Sequence, residues 1–341
     1  MGPAPRLDGL GGFWNVLSRI AQGLYTLGRS VERVQNVTRI LEVNHKMNLE
    51  RSAGRDRNVW EAIAHSFLCP VESYTERALY EVLVLSETHP FSVWRCLGDA
   101  RDEGRAMRDH ISDEMWLHLN LHYLELRGLD FDGILAIGRS EFNRRIEVFC
   151  DALYGLADDT MIRGEAWAFL RLGKQMERAL MICRILDIKR KSIVPDPDGA
   201  PADVHHWQAL LRSLSGYEPY RRAYDARVMP HRVLAFVLQH AEFPRSLAHA
   251  LVEMEGSVGV LGSKTPYASS VSQLLERLRN RLMGLDVERS IEAQAFDREL
   301  SYLNESCMEI ADAIELAYFT SLRPATRPIT VAPGAALTPQ Q

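Results

Sequence analysis

The chain has 341 residues, of which 46% are apolar and 25% charged, and its formal net charge is -5 at pH 7. These values are ordinary for a globular protein, and the length allows a sizeable core in one large domain or two average ones. The charges are mixed along the chain without Lys/Arg-rich runs, which argues against a nucleic-acid partner and against binding to an anionic membrane.

The cysteines indicate a reducing compartment. They are far apart, odd in number, without a Cys-x-x-Cys pair, and each lies among apolar neighbours. We therefore predict reduced, buried thiols and a cytoplasmic location. The N-terminal residues lack the apolar core of a signal peptide, and no stretch has the ~20 consecutive apolar residues of a membrane-spanning helix. The five cysteines are Cys69, Cys96, Cys150, Cys183 and Cys307.

Helical periodicity dominates the first half of the chain. Apolar residues at steps of three, four and seven predict one long helix over residues 14–48, and the pattern resumes near Trp60. Pro70 marks a boundary, because proline lacks the backbone donor and clashes inside a helix. Thr88 and Ser112 are the expected N-caps of two middle helices. Two long amphipathic helices are expected over residues 133–157 and 163–192.

A linker separates the two halves. Residues 193–203, IVPDPDGAPAD, hold three prolines, three aspartates and a glycine. No alternating strand pattern with hairpin signals occurs, so the predicted fold class is all-α. Residues 1–12 and 323–341 lack periodicity and are predicted to be disordered tails. The helices expected after the linker cover residues 204–216, 218–227, 230–241, 244–260, 270–284 and 288–321.

One phrase occurs twice in the chain. LGRSVERVQNVTRILEV begins at Leu27, LGKQMERALMICRILDI begins at Leu172, and the two align without a gap with seven of 17 positions identical. Apolar periodicity would match apolar positions, but it would not match a mid-helix glycine with a glycine or Glu-Arg with Glu-Arg. The sequence therefore predicts a large multi-helix bundle with an internal repeat of the Glu-Arg helix.

The spacing within each copy places polar groups around a glycine. Gly28 and Glu32 are four residues apart and share a helix face, and Arg39 follows on the same face. A glycine inside a helix costs ~1 kcal/mol relative to alanine, a cost that usually accompanies close approach of a backbone or a ligand. The candidate site residues are Gly28, Glu32, Arg33 and Arg39 in the first copy and Gly173, Glu177, Arg178 and Arg184 in the second.

Two arrangements fit this spacing. In the first, Glu32 with Arg178 and Glu177 with Arg33 form reciprocal ion pairs between two crossing helices, which fix their register. In the second, Arg33 and Arg178 together hold a carboxylate or phosphate ligand.

A second polar constellation lies in the middle of the chain. Glu114, His118, His122 and Glu125 fall within about 80° of arc on a helix. Two imidazoles and two carboxylates suit zinc or iron. The alternative is that this stripe is the polar face of an amphipathic helix.

The repeated phrase resembles the signature of the Alpha-E family, a bacterial all-helical family named for its Glu-Arg motif. FLRLGKQMERALMICRILDIK, HPFSVWRCLGDARDEGRAMRDHISDEMWLHLN and YEPYRRAYDARVMPHRVLAFVLQHAEFPRSL also resemble family segments, in the expected order over roughly residues 13 to 320. The resemblance implies a single helical domain over residues 13–322, with halves 13–192 and 204–322. Family members commonly have an acid three residues after the motif glutamate, where this chain has Gln35 and Leu180.

The resemblance also implies a function. Alpha-E proteins are typically encoded beside, or fused to, ATP-grasp enzymes, often with transglutaminase-like peptidases. The resemblance therefore implies that this chain is a non-catalytic accessory or scaffold protein that works with an ATP-grasp amide ligase in peptide synthesis or modification. We expect no cofactor in this chain, with ATP and Mg²⁺ bound by the partner, since the sequence contains no Walker loop. The alternatives are an enzyme whose Glu/Arg site handles acyl or phosphoryl groups, and a metalloprotein that uses the 114–125 stripe.

Overall fold

The computed structural model describes residues 18–50, 57–193, 204–225, 227–262 and 267–319. Within these ranges the regular elements are fifteen α-helices and two π-helical turns, with no strand. The all-α prediction is therefore confirmed. The predicted tails at residues 1–12 and 323–341, and residues 194–203 of the linker, lie outside the described residues.

Eight of the described α-helices lie between residues 18 and 193. They are α1 (Ser18–Glu50), α2 (Arg57–Ser66), α3 (Glu76–Tyr80), α4 (Val93–Ala106), α5 (Asp113–Leu126), α6 (Phe131–Ile137), α7 (Arg139–Thr160) and α8 (Glu165–Ile193), with a π-helical turn at Glu81–Leu85 after α3.

Seven of the described α-helices lie between residues 204 and 319. They are α9 (Val204–Ser213), α10 (Tyr217–Tyr224), α11 (Pro230–Gln239), α12 (Leu247–Leu261), α13 (Ala268–Met283), α14 (Val287–Glu292) and α15 (Phe296–Ile314), and a π-helical turn at Glu315–Phe319 extends α15.

Local turn chemistry explains where helices begin and end. The Ser112 hydroxyl accepts a hydrogen bond from the Met115 amide at 3.2 Å, which confirms the predicted N-cap. Thr88 is not a cap, since α4 begins at Val93 after a turn that holds Pro90. The helix expected over residues 133–157 is two helices, α6 and α7, separated by Gly138 at φ 92°.

A second predicted helix is also divided. The helix expected over residues 288–321 is α14 and α15, and the turn between them contains Gln294 at φ 53°. A positive φ is unfavourable for a residue with a Cβ atom, so no helical pattern predicts it.

The first long helix runs through the centre of the molecule. α1 packs against α4, α7 and α8, and its residues are buried almost without interruption from Gly23 to His45. The apolar stripe explains part of this burial, but Glu32, Gln35 and Asn36 are each at most 1% exposed. α1 is thus enclosed on all sides, although an amphipathic pattern predicts one wet face.

Two further helices flank the central pair. α4 packs on α1, and α12 packs on α8. Each of these helices begins after a Pro-x-Ser turn, formed by Pro90 and Ser92 before α4 and by Pro244 and Ser246 before α12. The two turns are alike, because Ser92 donates its amide to the His89 carbonyl at 3.0 Å and Ser246 donates its amide to Phe243 at 2.9 Å.

The structure describes all five cysteines. All five thiols are free, and four of the five cysteines are buried. Among the described helices, none combines the length and the apolar composition needed to cross a membrane.

Candidate functional site

α1 and α8 cross with their backbones in direct contact. A Cβ atom added to Gly28 would lie 2.1 Å from the Leu170 carbonyl oxygen, and one added to Gly173 would lie 2.0 Å from the Tyr25 carbonyl oxygen. No side chain fits in such a space, so both glycines are required by the close approach of the other helix. The predicted glycine notches therefore receive a backbone and not a ligand.

Two arginines of α1 hold the carboxylate of Glu177. Arg33 binds it with both arms of its guanidinium group, through Nε to Oε1 at 2.6 Å and Nη2 to Oε2 at 2.7 Å. Arg29 adds a bond from Nε to Oε2 at 3.0 Å. The remaining Nη1 of Arg33 donates to the carbonyl of Pro90 at 2.9 Å.

The carboxylate of Glu32 is held in the same way from α8. Arg178 binds it through Nε to Oε1 and Nη2 to Oε2, both at 2.8 Å, and its Nη1 donates to the Pro244 carbonyl at 2.9 Å. Arg245 adds a contact from Nη1 to Oε1 at 3.3 Å. Asn36, one turn along α1, donates its side-chain amide to Oε1 at 3.0 Å.

The reciprocal ion pairs are those that the spacing predicts. Each arginine of the motif holds the glutamate of the other helix with its fork and a proline carbonyl with its third nitrogen. That carbonyl belongs to the turn before α4 in one case and before α12 in the other. The cluster therefore joins four helices through two carboxylates.

The two sides of the cluster differ in polarity. Beside Glu177, the guanidinium carbon of Arg33 lies 4.9 Å from the centre of the Phe91 ring. The corresponding position in the other Pro-x-Ser turn is Arg245, which donates to Asn36 Oδ1 at 3.2 Å and to Gln35 Oε1 at 2.6 Å. One side thus has an aromatic ring where the other has a positive charge.

Both glutamates are ionised despite their burial. Glu32 is 0% and Glu177 2% exposed. Burial acts to raise their pKa values, but Arg178 and Arg245 lower the pKa of Glu32 to about 2. Burial also acts to raise the pKa of Glu177, but the charges of Arg33 and Arg29 have the larger effect and lower it. A general acid or base needs a pKa near the working pH, so neither carboxylate is suited to proton transfer at neutral pH.

The hydrogen-bond geometry also bears on whether Arg33 and Arg178 hold the glutamates of the protein or an external ligand. Bidentate binding of a carboxylate is the contact that an external anion would need, and Arg33 and Arg178 already make it to Glu177 and Glu32. The enzyme alternative requires both Glu-Arg pairs to border an open polar pocket. Glu32 and Glu177 are instead buried and held by arginines of the protein, which favours the structural arrangement.

Two predicted residues lie away from the carboxylates. Arg39 pairs with Glu147 of α7 at 3.5 Å. Arg184 hydrogen-bonds the Ser66 carbonyl and lies over the Phe91 ring, with its guanidinium carbon 4.4 Å from the ring centre. Each stabilises a neighbouring helix and neither contacts Glu32 or Glu177.

Sequence reasoning missed the second arginine on each side. Arg29 precedes Arg33 by four residues, so helical spacing could have placed both on one face. Arg245 lies in the Phe-Pro-Arg-Ser string, more than two hundred residues from Glu32, and no local periodic signal links the two.

The predicted metal stripe engages the protein backbone. Nε2 of His118 hydrogen-bonds the Phe149 carbonyl at 3.0 Å, and Nδ1 of His122 hydrogen-bonds the His118 carbonyl at 2.9 Å. Glu125 contacts Arg145 at 3.5 Å, and Glu114 is exposed. In the part of the chain that the structure describes, no group of three or more His, Cys, Asp or Glu side chains is arranged to hold a metal ion.

Comparison with known proteins gives a family. Residues 16–319 match the Alpha-E model, described as a predicted alpha-helical domain with a conserved ER motif. The chain is 23% identical to an uncharacterised protein of Mycobacterium bovis and to one of Mycobacterium tuberculosis. Each match covers 89% of this chain but 37% of the relative, so the chain spans little more than a third of their length. No solved structure matches the chain. The chain belongs to the Alpha-E family.

Proposed function

We propose that this chain is a non-catalytic helical accessory protein that works with an ATP-grasp-type amide ligase in peptide synthesis or modification. A transglutaminase-like peptidase is a further partner in this proposal. ATP and Mg²⁺ are bound by the ligase, and this chain supplies a docking surface.

The length of the relatives supports a role beside other domains. The mycobacterial proteins match this chain over 37% of their length, so most of each relative is additional sequence. A domain that is joined to further sequence in its relatives is suited to act together with a partner. The partner's chemistry comes from the family resemblance and is part of the proposal.

The closed Glu-Arg cluster supports the non-catalytic part of the proposal. Its carboxylates are buried and ionised, and the forks of Arg33 and Arg178 are occupied. Such a cluster fixes the register of packed helices but offers no reactive group to a substrate.

An exposed leucine stripe on α5 is the observation that carries the proposal. Leu117, Leu121 and Leu124 are 57%, 53% and 48% exposed, and their spacing of four and three residues puts them on one helix face. The opposite face is buried through Met115 and Leu119. Contiguous exposed apolar surface is typical of protein-protein contacts, so we assign this face to the ligase.

Co-purification tests the proposal. The chain and a purified ATP-grasp ligase from the same genome are mixed and passed over a size-exclusion column, with light scattering to give the mass. We expect a complex of the two chains. In a separate assay with ATP, ADP should be released only when the ligase is present. Leu121→Glu should abolish the complex, because it places a charge in the centre of the apolar contact.

Met308→Glu on α15 is the matched control, since Met308 is 45% exposed and lies on a different helix. It should leave the complex intact. Absence of a complex with the wild type, or equal loss with both variants, would contradict the proposal.

We also propose that α1 and α8 are two copies of an internal repeat. The ungapped similarity between the copies, the reciprocal ion pairs and the two glycine contacts support it. The matching Pro-x-Ser turns before α4 and α12 extend the correspondence beyond the repeated phrase.

A further inference from the structure

An open cavity of about 620 Å³ lies next to the polar side of the Glu-Arg cluster. Its walls come from the end of α9, from α10 and α11, and from the turn before α12. Phe236 and Phe243 form an aromatic wall, with their rings stacked at 4.5 Å between centres. This size and composition are typical of pockets for small organic molecules.

The polar groups of the cavity are mainly cationic. Arg222 and Arg245 both line it. Arg222 precedes Phe236 in the sequence, and Arg245 follows it. No carboxylate of the described residues lies within ion-pair distance of Arg222, which is exposed. His240 also lines the cavity, and its Nδ1 atom is buried without a hydrogen-bond partner among the residues that the structure describes.

Arg245 carries a positive charge that the protein only partly neutralises. Its nearest carboxylate, Glu32, is already bound by both arms of Arg178 and lies at 3.3 Å from Arg245. The other two contacts are to Gln35 and Asn36, which accept hydrogen bonds but bring no charge. Burial, and the nearby charges of Arg178 and Arg39, lower the pKa of Arg245, as expected for an under-neutralised buried cation.

Three hydrogen bonds of Arg245 run into the cluster. A guanidinium group has five N–H donors, so the same side chain can bind both the cluster and a ligand in the cavity.

We propose that this cavity binds a small organic monocarboxylate with an apolar body. Its carboxylate is held by Arg245 and Arg222, and its apolar part lies against Phe243 and Phe236. A guanidinium pair matches the planar carboxylate, and the aromatic wall removes an apolar ligand body from water.

Glu242 favours a single negative charge on the ligand. It lines the same cavity and is exposed, so it repels a second charge such as that of a phosphate dianion. Ligand binding here adds a small-molecule site to the accessory role, and it does not depend on the identity of the protein partner.

Titration of the purified chain with 3-phenylpropionate tests the site. Isothermal calorimetry should give saturable binding with one ligand per chain. The neutral amide of the same acid should bind about tenfold more weakly or worse, because a charge-assisted hydrogen bond is lost. Inorganic phosphate at the same concentration should not displace the carboxylate.

Variants at the cavity locate the site. Arg222→Ala should weaken binding about tenfold or more, and Arg221→Ala is the matched control. Arg221 is adjacent and exposed, but its side chain contacts Glu218 at 3.5 Å and does not line the cavity. The Arg221→Ala variant should leave the affinity for 3-phenylpropionate unchanged.

Gln35→Glu tests the part played by Arg245 without removing it from the buried cluster. The new carboxylate would neutralise Arg245 from within the protein, since the two side chains already contact at 2.6 Å. Gln35 also donates its side-chain amide to Asp151 Oδ1, so Asp151→Asn accompanies the change in this Gln35→Glu variant and keeps that hydrogen bond with donor and acceptor exchanged. We expect weaker binding of 3-phenylpropionate, with circular dichroism confirming the fold. No saturable binding by the wild type, equal affinity for the acid and its amide, equal loss in the Arg221 and Arg222 variants, or unchanged affinity in a folded Gln35→Glu variant would each overturn the proposal.

Discussion

Glu32 is a carboxylate without access to water, and its charge is compensated entirely by neighbouring side chains. Arg178 holds both of its oxygens, and Arg245 and Asn36 contact one of them. Removal of one partner from a buried ion pair is costly because the other charge is left unpaired. The cluster therefore makes the fold sensitive to any change that neutralises one of its members.

Acid is such a change, and we predict a loss of stability as the pH falls. The pKa of Glu32 is lowered from 4.5 to about 2 in the folded protein, so the unfolded chain binds this proton first. Its contribution is fully present above pH 4.5 and is lost as the pH falls toward 2, with a magnitude of about 3 kcal/mol. Urea unfolding at a series of pH values between 5.5 and 2 measures it.

The control for this prediction is Glu32→Gln, which has no carboxylate to titrate at this position. Its unfolding free energy should fall less steeply between pH 4.5 and 2.5 than that of the wild type. Parallel curves for the two proteins would show that other groups cause the acid sensitivity.

The sequence predicts part of this cluster and not the rest. Glu32 and Arg178 could be paired because the same Glu-Arg phrase occurs on two long helices. Arg245 could not, because it lies more than two hundred residues from Glu32 and reaches it only through the turn before α12. Side chains that meet through a distant turn leave no local periodic signal.

At the scale of elements, the crossing of α1 and α8 depends on two glycines. The space at Gly173 is filled by the Tyr25 backbone of α1, and backbone atoms cannot move aside as a flexible side chain can. We predict that Gly173→Ala strongly destabilises the protein, by more than the ~1 kcal/mol that alanine normally adds to helix stability. Thermal unfolding followed by circular dichroism measures the change.

Gly155→Ala is the matched control on α7. Among the described residues, no atom outside the backbone of its own helix lies within 4 Å of the position that its Cβ would take, so the substitution should raise stability by about 0.5–1 kcal/mol. Similar melting temperatures for the two variants would contradict the assignment of Gly173 to the helix contact.

Helical periodicity predicts the long elements and fails at two kinds of position. It gives α1 and α8 to within a few residues, because their apolar residues recur at helical spacing. It does not give the breaks at Gly138 and Gln294, where a single residue with positive φ ends a helix. It also assigns a wet face to α1, since the burial of Gln35 and Asn36 depends on hydrogen bonds from Arg245 in the turn before α12.

At the scale of the whole molecule, burial is unequal between helices. α1 and α8 are covered on nearly all sides, whereas α13 buries only one stripe of residues, including Leu275 and Leu278. Amides in the centres of α1 and α8 should therefore exchange with solvent most slowly, because only large openings expose them. Hydrogen exchange with mass spectrometry should find residues 24–45 and 172–186 protected longest, and faster exchange in α13. Equal rates in α1 and α13 would contradict this ranking.

The central position of α1 has a consequence for biosynthesis. This helix leaves the ribosome first among the described helices, but its neighbours come much later, and Tyr25 packs against Phe319 at 5.1 Å between ring centres. At the usual rate of translation, that partner emerges on the order of tens of seconds afterwards. Until then the side of α1 that faces the later helices lacks its native cover, so we expect the nascent chain to depend on chaperones more than a protein built from local contacts. Chains truncated before α8 would leave the α8-facing side of this helix uncovered and should aggregate.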